Sequence, residues 1–225
     1  ISYIAGSQLP CVIVNVQRGG PGLGSIQPGQ ADYFQATKGG GHGDYRNIVL
    51  APNSVQEMAD ITIEAFDLAD KWRNAVMILG DGALGQMMEP VEFKESTSKP
   101  VEKPWAATGR RGRAKPNIVN SLYLKPDLME KHNHVLQDKY AKIQAAETRW
   151  EALNTEDADV VVVALGSVLG TIKDTVDEMR EQGHRIGVLG ITCFRPWPSA
   201  VVRAALADAK RVAAIGGLDV RRRLA

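Results

Sequence analysis

The sequence predicts an α/β protein. Three observations carry that reading. Short, nearly continuous β-branched runs recur, at Val12 to Val16, Val76 to Leu79 and Val160 to Val163, as expected of parallel strands covered on both faces. Stretches with apolar residues at helical spacing lie between them, the alternation of an α/β sheet. The second of these runs passes directly into Gly80, and Gln17 with Arg18, then Asp81, stand where the first two of these runs end.

Taken in order, Ile1 to Leu9 reads as the end of a helix broken by Pro10, and the first strand opens at Cys11. Gln27 to Gly43 is polar and glycine-rich, a loop with one helical turn near Asp32, Tyr33 and Phe34. Asn47 to Ala51 is a second strand. Ser54 and Glu57 form a capping box ahead of a helix. Its stripe is read as Val55, Met58, Ala59, Thr62, Phe66, Ala69 and Trp72, with Met58, Phe66 and Trp72 in the core. Val76 to Leu79 is the third strand. Met87 and Met88 read as core or subunit contact, or as apolar lining for an aliphatic ligand. Residues 94–126 change character: Lys94, Lys99, Lys103, Arg110, Arg111, Arg113 and Lys115 stand among Pro, Gly, Ser and Thr. This is an extended crossing segment, read first as a solvated linker and otherwise as touching an acidic protein, a phosphate group or a neighbouring subunit. Pro126 to Asn154 reads as one long helix, with Met129, Leu136, Ile143 and Trp150 at seven-residue intervals. A strand at Asp159 to Leu165, a helix from Gly166 to Gly183, a strand at Ile186 to Ile191, a short helix capped by Ser199 and a strand at Arg211 to Ile215 complete a β-α-β-α-β unit. The expected division is 1–93, 94–154 and 155–225. The run near 214–219 is tighter than expected, as if residues were skipped.

Composition excludes several classes. A formal net charge of +1 over 225 residues gives no nucleic-acid or membrane surface. No apolar run reaches membrane-spanning length, and the start does not read as a signal peptide. Cys11 and Cys193 are the only cysteines. They lie too far apart in sequence for C-x-x-C chemistry and are read as core thiols in a reducing cytoplasm. His132 and His134 differ by two positions and cannot share a helix face, so no metal is assigned.

The most informative stretch is Gln17-Arg-Gly-Gly-Pro-Gly-Leu-Gly24. A strand ends in a cation and passes into a loop of glycines around a proline, at the sheet edge where α/β proteins bind ligands. The Arg18 guanidinium offers a planar fork for a carboxylate or phosphate. A salt bridge to a nearby Asp, or a helix C-cap, accounts for it equally well by spacing alone. The glycines do not fit G-x-G-x-x-G, and no G-K-[ST] follows. His42, between Gly41 and Gly43, reads as a site-edge histidine or as a loop histidine bonded to backbone. Asp81 reads as a cofactor contact or, more simply, as a cap for the following turn.

Three ordered segments carry a resemblance: Asn15 to Gly24, Gly41-His-Gly-Asp-Tyr-Arg-Asn-Ile-Val-Leu-Ala-Pro52, and Gly80-Asp-Gly-Ala-Leu-Gly-Gln-Met-Met-Glu-Pro-Val-Glu-Phe93. Together they resemble the α subunit of the 2-oxoacid:ferredoxin oxidoreductases, most of all the 2-ketoisovalerate type. The resemblance implies a pyrimidine-type thiamine-diphosphate domain on a parallel sheet, followed by a smaller transketolase C-terminal-like α/β domain. It implies oxidative decarboxylation of a branched-chain 2-oxo acid, with coenzyme A taking the acyl group and ferredoxin the electrons. Thiamine diphosphate and Mg2+ would lie at the interface with a β subunit, and iron–sulfur clusters on other subunits. Arg18 matches the family arginine that recognises the substrate carboxylate, with Gly19, Gly20, Leu23 and His42 around it. Several relatives have Thr where this chain has Leu23, which favours an aliphatic substrate. Upstream motifs of the family, among them Tyr-Pro-Ile-Thr-Pro, do not occur here, so the sequence reads as a fragment. The rival readings are pyruvate or 2-oxoglutarate as substrate, a non-catalytic scaffold of such a complex, and an independent nucleotide-binding protein.

Overall fold

The computed structural model describes residues 1–94 and 100–216; Lys99, the end of the run near 214–219 and residues 217–225 lie outside them. The helices are α1 (Ser2–Gly6), α2 (Tyr33–Lys38), α3 (Val55–Trp72), α4 (Pro126–Ala146), α5 (Ser167–Glu181) and α6 (Ser199–Leu206). The strands are β1 (Cys11–Gln17), β2 (Ile48–Leu50), β3 (Ala75–Asp81), β4 (Trp150–Leu153), β5 (Val160–Ala164), β6 (Ile186–Ile191), β7 (Cys193–Arg195) and β8 (Arg211–Ala214). They form two four-stranded sheets, ordered β1-β3-β2-β7 and β4-β6-β5-β8. In the first, β1, β3 and β2 are parallel and β7 is antiparallel; in the second, β6, β5 and β8 are parallel and β4 is antiparallel.

The period of two along each strand sorts the core. Val49, Ala51, Met77 and Leu79 from the first sheet share one buried cluster with Val161, Val163, Leu165, Leu189 and Ile191 at the second, closed by Phe194 and Trp197. The alternate residues Ile48, Leu50, Val76 and Ile78 face away, into a cluster with Ile61, Ala65 and Leu68 of α3 and Leu136, Tyr140 and Ile143 of α4. Ala164 and Val188 meet Leu169 and Val176 of α5. The layers therefore run α3 and α4, first sheet, second sheet, α5.

Several expectations need correction. β1 is not covered on both faces. It is the edge strand, and Val14 and Val16 are 58% and 49% exposed. The stripe of α3 is only partly the expected one: Ala69 is buried and Met58 and Trp72 pack against the core as expected, but Ile61, Ala65 and Leu68 complete the buried face and Phe66 is 61% exposed. Its cap holds, with Ser54 Oγ accepting the Glu57 N–H at 3.1 Å. The Glu57 carboxylate reaches past the cap to accept the Asn53 N–H at 2.6 Å. The helix begun at Pro126 ends at Ala146, and Trp150 to Leu153 pair antiparallel with β6. An open edge on β6 gives those residues backbone partners that a continued helix in solvent lacks. Three-residue β7 was not foreseen. It brings Cys193 and Phe194 into full burial, and burial pushes the Cys193 thiol up to about 12. Cys11 is only half-buried. Ser199 makes no side-chain cap.

The turn from α4 into β4 is held by charge. Glu147, 5% exposed, accepts hydrogen bonds from Lys71 Nζ and Trp72 Nε1, each at 2.7 Å. Arg149 forks onto Glu64 at 2.6 and 2.7 Å. The described part of the crossing segment, from residue 100 on, lies over the surface, with Lys103 paired to Asp70 at 2.7 Å and the Arg73 guanidinium 4.0 Å from the Trp105 ring centre. Among the described residues no helix is long and apolar enough to cross a membrane.

Burial pushes the Glu147 carboxyl up, but the bonds from Lys71 and Trp72 and the charges of Lys71 and Arg149 outweigh it and hold the group below 4.5. A depressed carboxyl contributes stability that is full above its unfolded pKa and lost as pH falls through the folded one. Glu147→Gln is expected to cost about 1–3 kcal/mol at neutral pH and to flatten the acid side of the stability curve below pH 4.5. Chemical denaturation of both proteins from pH 7 to 3 checks this. Equal acid slopes would remove Glu147 from the account.

Candidate functional site

The carboxyl ends of β1 and β3 lie side by side, Gln17 pairing with Asp81. Gln17 is 2% exposed and acts as a post. Its carbonyl accepts the Gly82 N–H at 2.9 Å, and its Oε1 accepts the Asp32 N–H at 3.0 Å. Both strand exits are thereby held to one residue.

The loop after Gln17 closes on itself. Gly19 N–H donates to Gln27 O at 2.9 Å, Ser25 N–H to Gly19 O at 2.8 Å, and Gly24 N–H to Pro21 O at 3.1 Å. The Gly20–Pro21 peptide is cis. Gly24 sits at φ +54, and a Cβ there would stand 1.9 Å from the Gly19 carbonyl oxygen, so the position admits only glycine. Within the loop Arg18 Nη1 donates to Leu23 O and to Ser25 O at 3.1 Å. The guanidinium thus braces its own loop. No hydrogen bond from Nε or Nη2 to the described residues is formed, which leaves the side-on fork toward solvent. Leu23, whose carbonyl is held, projects its side chain outward at 91% exposure.

Asp81 is 3% exposed. Its Oδ1 accepts the N–H groups of Ala83 and Leu84 at 3.0 and 3.1 Å, and its Oδ2 accepts the Ser167 hydroxyl at the start of α5. Both oxygens are therefore engaged, Oδ1 in capping the following turn and Oδ2 in joining the two sheets. Gln30 forms a second joint. Its Nε2 donates to Leu165 O at 2.9 Å, and its amide is packed so closely that a Cβ on Gly216 would lie 2.1 Å from Oε1.

His42 stands elsewhere. It has φ 56, its carbonyl accepts the Ser2 hydroxyl at 2.5 Å, and its ring lines a cavity of about 510 Å3 between α1 and α4 that also includes His132 and Tyr140. Arg18 has no part in that cavity wall. The structure brings Arg18, Gly19, Gly20 and Leu23 into one loop next to Asp81 through Gln17, and puts His42 in the wall of a cavity that Arg18 does not line. Gln17 was noted only as a polar residue at the strand end, and Gln30 and Ser167 were given no role from sequence. Their partners are distant in sequence, and no local pattern marks them.

Comparison with known proteins follows from this geometry. The family described as pyruvate flavodoxin/ferredoxin oxidoreductase, thiamine-diphosphate-binding, matches residues 1–160. Core domain II of pyruvate:ferredoxin oxidoreductase matches residues 158–217. The ketoisovalerate oxidoreductase subunit VorB of Methanothermobacter marburgensis is 50% identical over 204 residues, 90% of this chain and 58% of that protein. The 2-oxoglutarate synthase subunit KorA of Methanocaldococcus jannaschii is 31% identical over 227 residues, 90% of this chain and 62% of that one. The chain thus spans about three fifths of these relatives' length. The solved 2-oxoglutarate:ferredoxin oxidoreductase of Magnetococcus marinus, which holds 2-oxoglutarate, coenzyme A and succinyl-CoA, superposes with a TM-score of 0.77 at 24% identity. That match covers 98% of this chain and 44% of that one, and it establishes the fold.

Gly24→Ala is expected to open the loop while leaving the body intact, because the clash is local and the loop is exposed. Limited proteolysis should then cut between Pro21 and Ile26 faster than in the parent protein, with Tm changed little. Unchanged cleavage would show that the loop accommodates a Cβ and is not closed as described.

Proposed function

The chain belongs to the pyruvate flavodoxin/ferredoxin oxidoreductase family, and we propose that it serves as the α-type subunit of a 2-oxoacid:ferredoxin oxidoreductase acting on a branched-chain 2-oxo acid. The observation that carries the substrate is the half-identity with a ketoisovalerate oxidoreductase subunit, against lower identity with 2-oxoglutarate and pyruvate synthase subunits. Coenzyme A as acyl acceptor, ferredoxin as electron acceptor and further subunits carrying iron–sulfur clusters belong to the same reading.

Thiamine diphosphate, when bound, would supply the nucleophile and the electron sink that decarboxylation of a 2-oxo acid needs. The described residues do not fit the diphosphate itself. They hold no phosphate-binding glycine–lysine loop, and no group of three or more His, Cys, Asp or Glu stands where it would hold a metal ion. In this proposal the diphosphate and its Mg2+ rest on the β subunit, as the family resemblance implies. This chain's contribution is substrate placement. Arg18 holds the substrate carboxylate through Nε and Nη2 while Nη1 keeps the loop closed. Two parallel charge-assisted bonds fix the carboxylate plane, and a fixed plane orients the bond to be broken. Gly19 and Gly20 let the substrate approach the backbone, and Leu23 offers an apolar contact to a branched side chain.

Arg18→Ala in the purified complex is expected to lower kcat/KM by roughly 10–100-fold, the loss of one charge-assisted contact. Arg18→Lys should fall between, with charge but no fork. Because the loop is exposed, Tm should move little in either. A folded Arg18→Ala complex with full activity would sink the assignment, and a large drop in Tm with normal turnover per folded complex would make Arg18 structural only.

Leu23→Thr is expected to shift the ratio of kcat/KM for 3-methyl-2-oxobutanoate over 2-oxoglutarate downward by at least tenfold, in keeping with about 1–3 kcal/mol per methylene-sized apolar difference. Side-by-side kinetics on both acids measure it, and an unaltered ratio rules the residue out of substrate choice.

A further inference from the structure

A second polar cavity lies at the opposite edge of the first sheet. β1 and β3 are parallel. Gln8 precedes the one and Arg73 the other, so both stand at the amino edge. The crossing segment brings Trp105 and Tyr123 to the same place, and α4 brings His132. With Ser7, the residue that ends α1, they line about 260 Å3, too small for a nucleotide or a coenzyme but adequate for a small ion.

The charge here is one-sided. Arg73 Nε donates to Gln8 O at 3.2 Å, and the guanidinium stacks on Trp105. Among the described residues Nη1 and Nη2 have no hydrogen-bond partner, and no carboxylate pairs with the group. Asp70, three positions before, is held by Lys103. Burial lowers the pKa of the Arg73 guanidinium, and no opposing charge raises it again. Lys139 stands behind it, Nζ donating to Arg73 O at 3.0 Å and to Gln8 Oε1 at 3.4 Å. Burial and the Arg73 charge together bring Lys139 down to about 8, as expected of two neighbouring cations without a counter-ion. Ser7 is 6% exposed, and its hydroxyl has no hydrogen-bond partner. A buried donor without an acceptor is costly. His132 and Tyr123 satisfy one another: His132 Nε2 donates to Gly6 O at 2.7 Å, so Nδ1 accepts the Tyr123 hydroxyl at 3.1 Å and the ring is neutral.

The backbone agrees with the side chains. Arg73 ends α3 at φ 46, and Gln8 lies at φ 51. Helices end in this left-handed region most readily on glycine. Here two long polar residues occupy it and meet through the bond from Arg73 Nε to Gln8 O. An oxyanion on the Nη1–Nη2 fork would accept the Ser7 proton and offset the two like charges.

We propose that this cavity is an anion-binding site, distinct from the Arg18 loop, in which a small oxyanion, inorganic phosphate or the carboxylate of a short organic acid, bridges Arg73 and the Ser7 hydroxyl. The ion ties the ends of α1 and α3 together beneath Trp105 of the crossing segment. It acts on stability by mass action and lies at the wrong edge of the sheet for catalysis.

Thermal melting of the full protein at constant ionic strength tests it, with sodium chloride replaced stepwise by sodium phosphate in one series and sodium acetate in another. Trp105 emission, identified by its loss in Trp105→Phe, follows binding directly. The expected result is a saturating rise in Tm of roughly 5–10 °C at a hundredfold excess over Kd. Arg73→Gly should raise Kd at least tenfold yet melt close to the parent protein without the anion, because glycine suits the left-handed φ. Ser7→Ala should also weaken binding and should melt no lower without the anion, because it removes an unpaired hydroxyl. Arg18→Ala should respond as the parent does. A response to phosphate alone assigns the inorganic ion, and a response to acetate alone assigns a carboxylate. Three results would each overturn the proposal: identical melting in phosphate, acetate and chloride, a response retained in full by both Arg73→Gly and Ser7→Ala, or a response lost in Arg18→Ala, which would place the ion in the substrate loop.

Discussion

The structure depends on two sheets that bury one another. Met77 and Leu79 present one face of β3 to Val161 and Val163 of β5, and the alternate residues Val76 and Ile78 face the α3 and α4 layer. A strand has only two faces, so shifting β3 by one residue would exchange both sets at once. That constraint places the carboxyl ends of β1 and β3 side by side and sets Asp81 against Ser167. The loop that begins at Arg18 inherits its position from the packing of residues that never touch it.

Much of this was legible in the sequence, in proportion to how local the signal is. The Ser54 cap, Pro126 in the first turn of α4 and the positive φ of Gly183 after α5 depend on a few neighbouring residues, and each is found. The face of α3 was misjudged because Phe66 is large and apolar yet points to solvent, whereas the small Ala65 meets the sheet. β4 was hidden because Trp150 and Leu153 continue the helical spacing of α4, and only an open edge on β6 decides for a strand. β7 is three residues long, too short to show a period. At the site, the cation, the glycines and the strand end could be read directly. Gln17 and Gln30 could not, since a buried amide is recognised by its partners and those lie 15 and 135 positions away.

The Arg18 loop joins two demands that usually conflict. Recognition of a carboxylate needs an accessible guanidinium, and accessible arginines are conformationally free. Here Nη1 is held by the Leu23 and Ser25 carbonyls, so the side chain is fixed before any ligand arrives. The arginine and the glycines are therefore one device. Gly24 permits the close turn, the turn supplies the carbonyls, and the carbonyls fix the fork. Pre-ordering of this kind reduces the entropy lost on binding.

The later part of the chain also lends one strand, β7, to the first sheet. β7 follows β6 of the second sheet but completes the first, whereas β4 precedes β5 and flanks β6. After building most of the second sheet, the chain returns to finish the first one. Neither sheet is therefore a contiguous length of polypeptide, and a cut between them would orphan an edge on each side. Such a protein resists modular reuse. An exchange of everything from β4 onward would leave β2 without its own neighbour β7.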